Sequence, residues 1–320
     1  MDFRIIAVVV IIIILIHDMS EIDKLQHDIN NLAYWTFKNG CKDCSEQYLK
    51  KFSIPLIPRI TQEYLAYRLV ILGQETSTWY PRSWHENEDK NHPLHESYKA
   101  FNLRDFINAK ESDAEQICQV CRYDRHVQYV YGKGKRTQGL WGFSKKVCKE
   151  NLGFCIKPNA SIPFCLLDLF CTETVAFNGE KGKPSQNEKL ADEVIKMQSN
   201  LLYRILTLIK PKAILATTNY KNDDILKQYA LGDPNAKIVP IDNSGAFSPE
   251  EIASIDIAQG ELIDTKVIRT YHPNFFYGSC SPQRIRKMMD KERRKRYQEL
   301  IYKCLGECLW ENWPSAGSRP

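Results

Sequence analysis

The sequence lacks the short motifs that mark several common enzyme classes. It contains no G-x-S-x-G nucleophile elbow, no G-x-x-x-x-G-K-[ST] phosphate loop and no G-x-G-x-x-G dinucleotide fingerprint. Neither glycine nor proline is enriched, at 15 residues each, and neither recurs with a period. The chain also has no internal repeat. These absences remove the usual sequence support for those three kinds of site, and they exclude collagen-like and low-complexity chains.

The composition is that of a folded globular protein. Of the 320 residues, 43% are hydrophobic and 26% are charged. This is enough apolar material for one large core or two modest ones. Extended disorder is therefore excluded as the main state of the chain.

The longest apolar run lies at the amino terminus and is too short for a standard membrane span. Residues 5–16 are twelve consecutive apolar residues, whereas a spanning helix needs about 20. The stretch before the run is not clearly positive, and no small-x-small cleavage site follows it. We expect residues 1–18 to be either an over-extended start or a poor membrane anchor.

The two interpretations of this run predict different compartments. Translation from Met19 predicts a nuclear or cytoplasmic protein. A real signal in residues 5–16 predicts a membrane-anchored or secreted hydrolase of another type, in which Asn159-Ala-Ser161 is a glycosylation acceptor. Contact with a membrane therefore stays open at this point.

Positive charge is concentrated near the carboxyl end. Residues 284–296 include eight basic and two acidic side chains, a local charge of +6 against +5 for the whole chain. Such a basic stripe attracts phosphate or anionic lipid through a salt-dependent field. A solvated helix face accounts for the same pattern equally well.

The eleven cysteines include two C-x2-C pairs, Cys41 with Cys44 and Cys118 with Cys121. Each pair can place two thiolates on one metal ion, but the pairs lie too far apart in sequence for a compact zinc ribbon. A structural zinc or iron–sulfur site at Cys41 and Cys44, disulfides and free thiols all remain alternatives. We expect that no cofactor is required.

Alternating strands and helices predict a three-layer α/β/α fold with a central, mostly parallel sheet. Apolar positions spaced by three and four residues predict one helix over residues 187–210. Short apolar runs predict buried strands at residues 69–73, 164–170, 213–217, 237–241 and 266–270.

Four segments follow from this pattern. The apolar segment 1–18 precedes a helical extension at 19–60. The main domain covers residues 61–305 and contains a polar, irregular insertion at about 80–137, and residues 306–320 form a tail.

Ligands of such sheets gather where the carboxyl ends of the strands meet the following loops. This rule selects three places, after the first strand, on the second and after the last. The side chains able to do chemistry there are Gln74, Glu75, Trp79, Tyr80, Asp168 and His272.

Two of these places resemble motifs of the uracil-DNA glycosylase superfamily. The run Leu-Val-Ile-Leu-Gly-Gln-Glu at 69–75 looks like the first family motif, an apolar strand ending in Gly-Gln-Asp-Pro-Tyr. The run Val-Ile-Arg-Thr-Tyr-His-Pro-Asn at 267–274 is similar to the final motif, a strand ending in His-Pro-Ser-Pro. The resemblance covers residues 65–305 and rests on fewer than a dozen specific positions.

The resemblance implies a role for several residues. Cleavage of an N-glycosidic bond creates an oxocarbenium-like sugar, which a carboxylate stabilises, and an anionic base, which needs a hydrogen-bond donor. Glu75 takes the carboxylate role, where the family has Asp, and His272 takes the donor role. Gln74 contacts the carbonyl edge of the base, and Trp79 or Tyr80 provides a stacking face.

The same resemblance implies contacts with duplex DNA. An enzyme that extrudes a base fills the gap with an apolar wedge, and Phe275 and Phe276 stand where the family supplies one. The basic residues that follow would bind flanking phosphates, and the nearest are Arg284, Arg286 and Lys287. We therefore expect a monomeric DNA-binding protein.

Three departures from the family pattern bear on activity and base choice. Thr76 and Ser77 replace the Pro and Tyr of the first motif, and Asp168 occupies the place of a base-binding Asn, for which Asn178 is another candidate. An ionised Asp only accepts hydrogen bonds, so uracil specificity is in doubt.

The expected function is a DNA glycosylase acting on uracil or a related base. The alternative is a catalytically inactive member that binds DNA or a protein.

Overall fold

The computed structural model describes residues 20–75, 102–110, 139–156, 161–172, 174, 176–177, 180–181, 183–273 and 289–310. The apolar run 5–16 and Asn159 lie outside these residues. Among the helices within them, none combines the length and the apolar character needed to cross a membrane.

A six-stranded, mostly parallel sheet forms the centre of the protein. Its strand order is β2-β1-β5-β8-β7-β6, and a separate two-stranded sheet pairs β3 with β4. β1, β2, β5 and β8 run parallel, whereas β6 and β7 are antiparallel to their neighbours. The strands are Leu69–Glu75 (β1), Phe164–Phe170 (β2), Ala176–Phe177 (β3), Glu180–Lys181 (β4), Ala213–Ala216 (β5), Lys237–Pro240 (β6), Ile252–Asp256 (β7) and Lys266–Thr270 (β8).

The predicted parallel strands are more deeply buried than the antiparallel edge of the sheet. Every residue of β2 and of β5 is buried, whereas β6 at the antiparallel edge is exposed or half-buried along its length. Continuous apolar runs are typical of parallel strands that are covered on both faces. The three-layer α/β/α architecture predicted from the sequence is confirmed.

Helices cover both faces of the sheet. The described helices are Glu21–Gly40 (α1), Glu46–Leu49 (α2), Gln62–Tyr67 (α3), Leu103–Asn108 (α4), Gly139–Leu152 (α5), Glu188–Gln198 (α6), Leu201–Ile209 (α7) and Lys291–Leu309 (α8). Short helical turns, Tyr220–Asn222, Asp223–Ile225 and Leu226–Ala230, follow β5.

The direction of the crossovers assigns these helices to their layers. The chain moves outward from β1 to β2 and then returns past β1 to β5. Because such crossovers are right-handed, α5 lies on one face and α6 and α7 lie on the other. α8 packs against α5, β5 and β8, whereas α1 packs against α6 and α7.

The helical extension shares the core of the main domain. Ser20 caps α1 by accepting a hydrogen bond from the backbone N–H of Asp23, which is a standard way to satisfy a helix amino terminus. At the other end, a Cβ on Gly40 would lie 2.3 Å from the carbonyl oxygen of Met197 in α6. This contact requires glycine, because any side chain would separate the two helices.

Several expectations about individual elements need correction. The single helix predicted over 187–210 is two helices, because Ser199 adopts a positive φ of 46° between α6 and α7. Strand β7 was not predicted, and the strand predicted at 237–241 pairs antiparallel to it. The insertion predicted to be irregular contains α4, whose Phe106 packs edge-on against Phe37. The last helix runs to Leu309, and the domain boundary expected at residue 305 stays a prediction.

Candidate active site

Three strands carry chain segments to the same edge of the sheet. Leu72 of β1 pairs with Ala216 of β5, and Ala216 pairs with Arg269 of β8. Glu75 lies three residues beyond this row on β1, and His272 lies three residues beyond it after β8. Only β5 separates β1 from β8, so their backbones are roughly 10 Å apart at this level, because neighbouring strands are about 4.8 Å apart. The backbones of Glu75 and His272 therefore lie at the same end of the sheet, where the parallel strands end, with β5 between them.

The strand order reverses direction at this edge. From β1 the chain crosses to β2 on one side and later returns to β5 on the other. In open α/β sheets the crevice at such a switch point, outside the carboxyl ends of the strands, is the usual place for a ligand. The carboxyl ends of β1 and β5 are therefore the centre of the candidate site.

Two threonines after β5 belong to this edge and were not selected from the sequence. The backbone N–H and the hydroxyl of Thr217 both donate to the carbonyl oxygen of Leu72, at 2.8 Å and 3.1 Å. Thr218 is completely buried, and its carbonyl oxygen accepts a hydrogen bond from the side chain of Asn222 at 2.6 Å. The signal in the sequence was a polar Thr-Thr-Asn run directly after a buried strand.

His272 is held as a neutral imidazole. Burial lowers its pKa from 6.5 to about 4, because a charged imidazolium loses hydration, and the positive charge of Lys183 lowers it further. Lys183 precedes the short turn Pro184–Gln186, which packs against β1. At neutral pH the ring carries one N–H donor and one acceptor nitrogen.

The backbone before His272 is fixed by the last helix. The N–H of Tyr271 donates to the hydroxyl of Tyr297 in α8 at 3.2 Å, and this hydroxyl donates to the carbonyl oxygen of Glu251. Tyr297 is completely buried, and this burial raises its pKa. Tyr297 therefore ties the end of β8 to the loop before β7.

An ion pair of Arg269, two residues before Tyr271, supports β8 itself. Arg269 is 1% exposed, and its Nε lies 3.0 Å from Oδ1 of Asp223 in the helical turns after β5. The guanidinium also donates to the carbonyl oxygens of Pro249 and Glu250. Burial raises the pKa of Asp223, although the charge of Arg269 opposes that rise. These bonds connect β8 with the segments on either side of it.

Asp168 lies beside the site on the neighbouring strand. It pairs with Gly73 across β1 and β2 and is 4% exposed. A Cβ on Gly73 would lie 2.0 Å from Oδ1 of Asp168 and 3.5 Å from the side chain of Leu140 in α5. The Asp168 carboxylate therefore lies against the backbone of Gly73, two residues before Glu75, on the α5 face of the sheet.

The Cys41 and Cys44 thiols lie in contact at the end of α1. Burial raises the pKa of Cys41 to about 12, and the neighbouring Cys44 adds to the rise. Burial and the negative charge of Glu193 also raise the pKa of Cys44. Within the described ranges, no further His, Cys, Asp or Glu joins them in a group of three that could hold a metal ion. Cys118 and Cys121 lie outside those ranges.

Several residues selected from the sequence also lie outside the described part of the chain. For Glu75 the structure describes the backbone only, and Gln74 is half-buried at the end of β1. The other residues outside it are Trp79, Tyr80, Asn178, Phe275, Phe276, Arg284, Arg286 and Lys287.

Part of the basic stripe is described, at the start of α8. Arg293 forms an ion pair with Glu251 at 2.8 Å and stacks on Phe247, and Arg296 forms one with Glu292 at 2.8 Å. These arginines therefore already have anionic partners within the protein.

No family model matches the sequence, and no curated protein matches it.

Proposed function

We propose that the protein hydrolyses the N-glycosidic bond of uracil or a related modified base in DNA. The observation that carries this proposal is the position of Glu75 and His272, which lie two strands apart on one edge of the sheet, three residues beyond the same paired row. An acid and a neutral imidazole carried on either side of β5 suit a reaction that creates a cationic sugar and an anionic base.

In the proposed reaction Glu75 acts on the sugar side. A water molecule forms a bond to C1′ of the deoxyribose while the bond from C1′ to the base nitrogen breaks. The Glu75 carboxylate stabilises the positive charge that develops on the sugar, orients the water and accepts its proton. The reaction as written uses only protein groups and water.

His272 acts on the base side. The base leaves with the electron pair of the broken bond, so negative charge develops on its carbonyl oxygen. An N–H donor placed near that oxygen stabilises the charge in the transition state. The lowered pKa of His272, about 4, supports this role. The ring is neutral at neutral pH, so it offers an N–H donor to the base and has no imidazolium proton to transfer to it. In this proposal Gln74 contacts the carbonyl edge of the base.

Asp168 is the residue proposed to influence which base is accepted. Its buried carboxylate lies against Gly73, two residues before Glu75. An ionised carboxylate accepts hydrogen bonds but donates none, so it favours a base edge that carries N–H groups over one that carries carbonyl oxygens. This supports a modified base other than uracil as the preferred substrate.

The proposed contacts with DNA come from residues outside the described ranges. Phe275 and Phe276 are the proposed wedge, and Arg284, Arg286 and Lys287 are the proposed phosphate contacts. Arg293 and Arg296 are paired with carboxylates, which favours the earlier basic residues for this role. A monomer acting on DNA would reside in the nucleus or cytoplasm.

The test is an excision assay on a panel of oligonucleotides. Single-stranded and mismatched duplex DNA carrying uracil, hypoxanthine or another altered base is incubated with the protein and then treated with alkali, which cleaves the chain at abasic sites. Strand scission at the altered base supports the enzyme. Tight binding without scission on every oligonucleotide contradicts it and favours the inactive DNA-binding alternative.

A further inference from the structure

Thr218 carries a polar group that the fold does not use. The residue is 0% exposed, and its hydroxyl has no hydrogen-bond partner among the described residues. Buried polar groups are nearly always paired, because burial removes their hydrogen bonds to water. An unpaired hydroxyl therefore points to a role beyond the folding of this loop.

The groups around Thr218 do have partners. The hydroxyl of Thr217 bonds to the carbonyl oxygen of Leu72, and the carbonyl oxygen of Thr218 accepts from Asn222. The N–H of Asn219 donates to the carbonyl oxygen of Thr270 at 3.3 Å, so the loop is tied to both β1 and β8. The Thr218 hydroxyl therefore has no partner among the described residues, although hydrogen bonds hold the rest of this segment in place.

The position of Thr218 is the centre of the candidate site. It lies two residues beyond Ala216, at the level of Gln74 on β1 and of Tyr271 after β8. Glu75 and His272 are each one residue further out. Thr218 therefore lies between the two strands that carry the proposed acid and imidazole, one residue deeper.

We infer that Thr218 is a specificity-determining residue whose hydroxyl donates a hydrogen bond to a carbonyl oxygen of the extruded base. This inference rests on the proposed function for the identity of the ligand. The carboxylates of Asp168 and Glu75 only accept hydrogen bonds when they are ionised. A hydroxyl at position 218 would add a hydrogen-bond donor to the candidate site. The hydroxyl is fully buried, so binding of a base requires the groups that cover it to move aside.

The test compares three variants with the wild type. Thr218→Val removes the hydroxyl and keeps the shape, Thr218→Ser keeps the hydroxyl, and Thr217→Val removes a hydroxyl that has a partner. We expect Thr218→Val to have a Tm equal to or above that of the wild type and at least a tenfold lower kcat/KM for base excision. Thr218→Ser should stay within about threefold of the wild-type kcat/KM, and Thr217→Val should lower the Tm.

Two outcomes overturn the inference. If Thr218→Val lowers the Tm as much as Thr217→Val does, the hydroxyl has a structural partner. If Thr218→Val keeps the wild-type kcat/KM, the hydroxyl does not contact the base. If the wild type excises no base at all, the proposed function fails. The inference about Thr218 is then tested separately by measuring DNA affinity with fluorescence anisotropy. Unchanged affinity of Thr218→Val for uracil- and hypoxanthine-containing single strands would then overturn it, and weakened affinity for either would support it.

Discussion

The Asp168 carboxylate lies against the backbone of Gly73, its partner in the adjacent parallel strand. The two residues are in register, and a Cβ on Gly73 would lie 2.0 Å from Oδ1 of Asp168. This distance is far below a normal contact, so glycine at position 73 is required by the carboxylate rather than by a turn. The relationship fixes Asp168 at a short distance from the end of β1 and hence from the proposed site.

Gly73→Ala should therefore destabilise the protein. We expect a loss of about 1–3 kcal/mol in the free energy of unfolding, as for other overpacked cores, measured by urea denaturation. The added methyl group should cost much less when Asp168 is also replaced by Ala, because the conflicting atom is gone. An equal loss from Gly73→Ala in both backgrounds would show that the Asp168 side chain is not the obstacle.

Tyr297 should affect both stability and excision through the position of His272. Tyr297→Phe removes the hydroxyl that accepts from Tyr271 and donates to Glu251. We expect a loss of about 1–2 kcal/mol in stability and a lowered kcat, because the backbone before His272 is no longer fixed.

Tyr64→Phe is the matched control for this change. It removes a buried hydroxyl that donates to the carbonyl oxygen of Ile209 at 3.1 Å, near the opposite end of β1. It should lower stability similarly and leave kcat unchanged. If both variants lose kcat in proportion to their stability, Tyr297 has no positioning role.

His272 should make stability depend on pH in the acidic range. Its pKa falls from 6.5 to about 4 on folding, so between these values the unfolded chain binds a proton that the folded protein does not. Its contribution to stability is therefore complete above about pH 6.5 and is lost as the pH falls towards 4.

His272→Gln should flatten this part of the stability profile, measured by denaturation between pH 4 and pH 7. A His272→Gln profile as steep as that of the wild type would contradict the burial of a neutral imidazole.

Asp168→Asn should change the preference among bases. The amide keeps the size of the carboxyl group and adds an N–H donor, so it can bond to carbonyl oxygens that the carboxylate repels. We expect the ratio of kcat/KM for uracil to that for the base preferred by the wild type to rise about tenfold or more, which corresponds to about 1.4 kcal/mol or one hydrogen bond. A ratio that stays constant while both rates change would mean that Asp168 does not contact the base.

The parallel part of the fold could be predicted from the sequence because its strands are buried on both faces. The runs at β2 and β5 are short and almost wholly apolar, which is typical of parallel strands that are covered on both faces. The antiparallel part was harder. β7 is short and ends in exposed Asp256, and β6 is exposed or half-buried, so neither has a strong apolar pattern.

The spacing of apolar residues also could not predict local changes in the backbone. The apolar spacing continues from α6 into α7 although the helix breaks at Ser199, because spacing reports the buried face and not the backbone path. The position of Glu75 and His272 at the same end of the sheet could be predicted, since both follow strands of its parallel part, and their role at a ligand site stays a prediction. Thr218 could not, because an unpaired hydroxyl becomes visible only when its neighbours are known.

The most direct test of the central claim is base excision by Glu75→Gln and His272→Ala under single-turnover conditions, with Glu63→Gln on α3 as a control. If the acid and the imidazole act on one bond, each variant should excise the preferred base about 100-fold to 10,000-fold more slowly than the wild type. The control should retain the wild-type rate. Wild-type rates for both Glu75→Gln and His272→Ala would contradict the account.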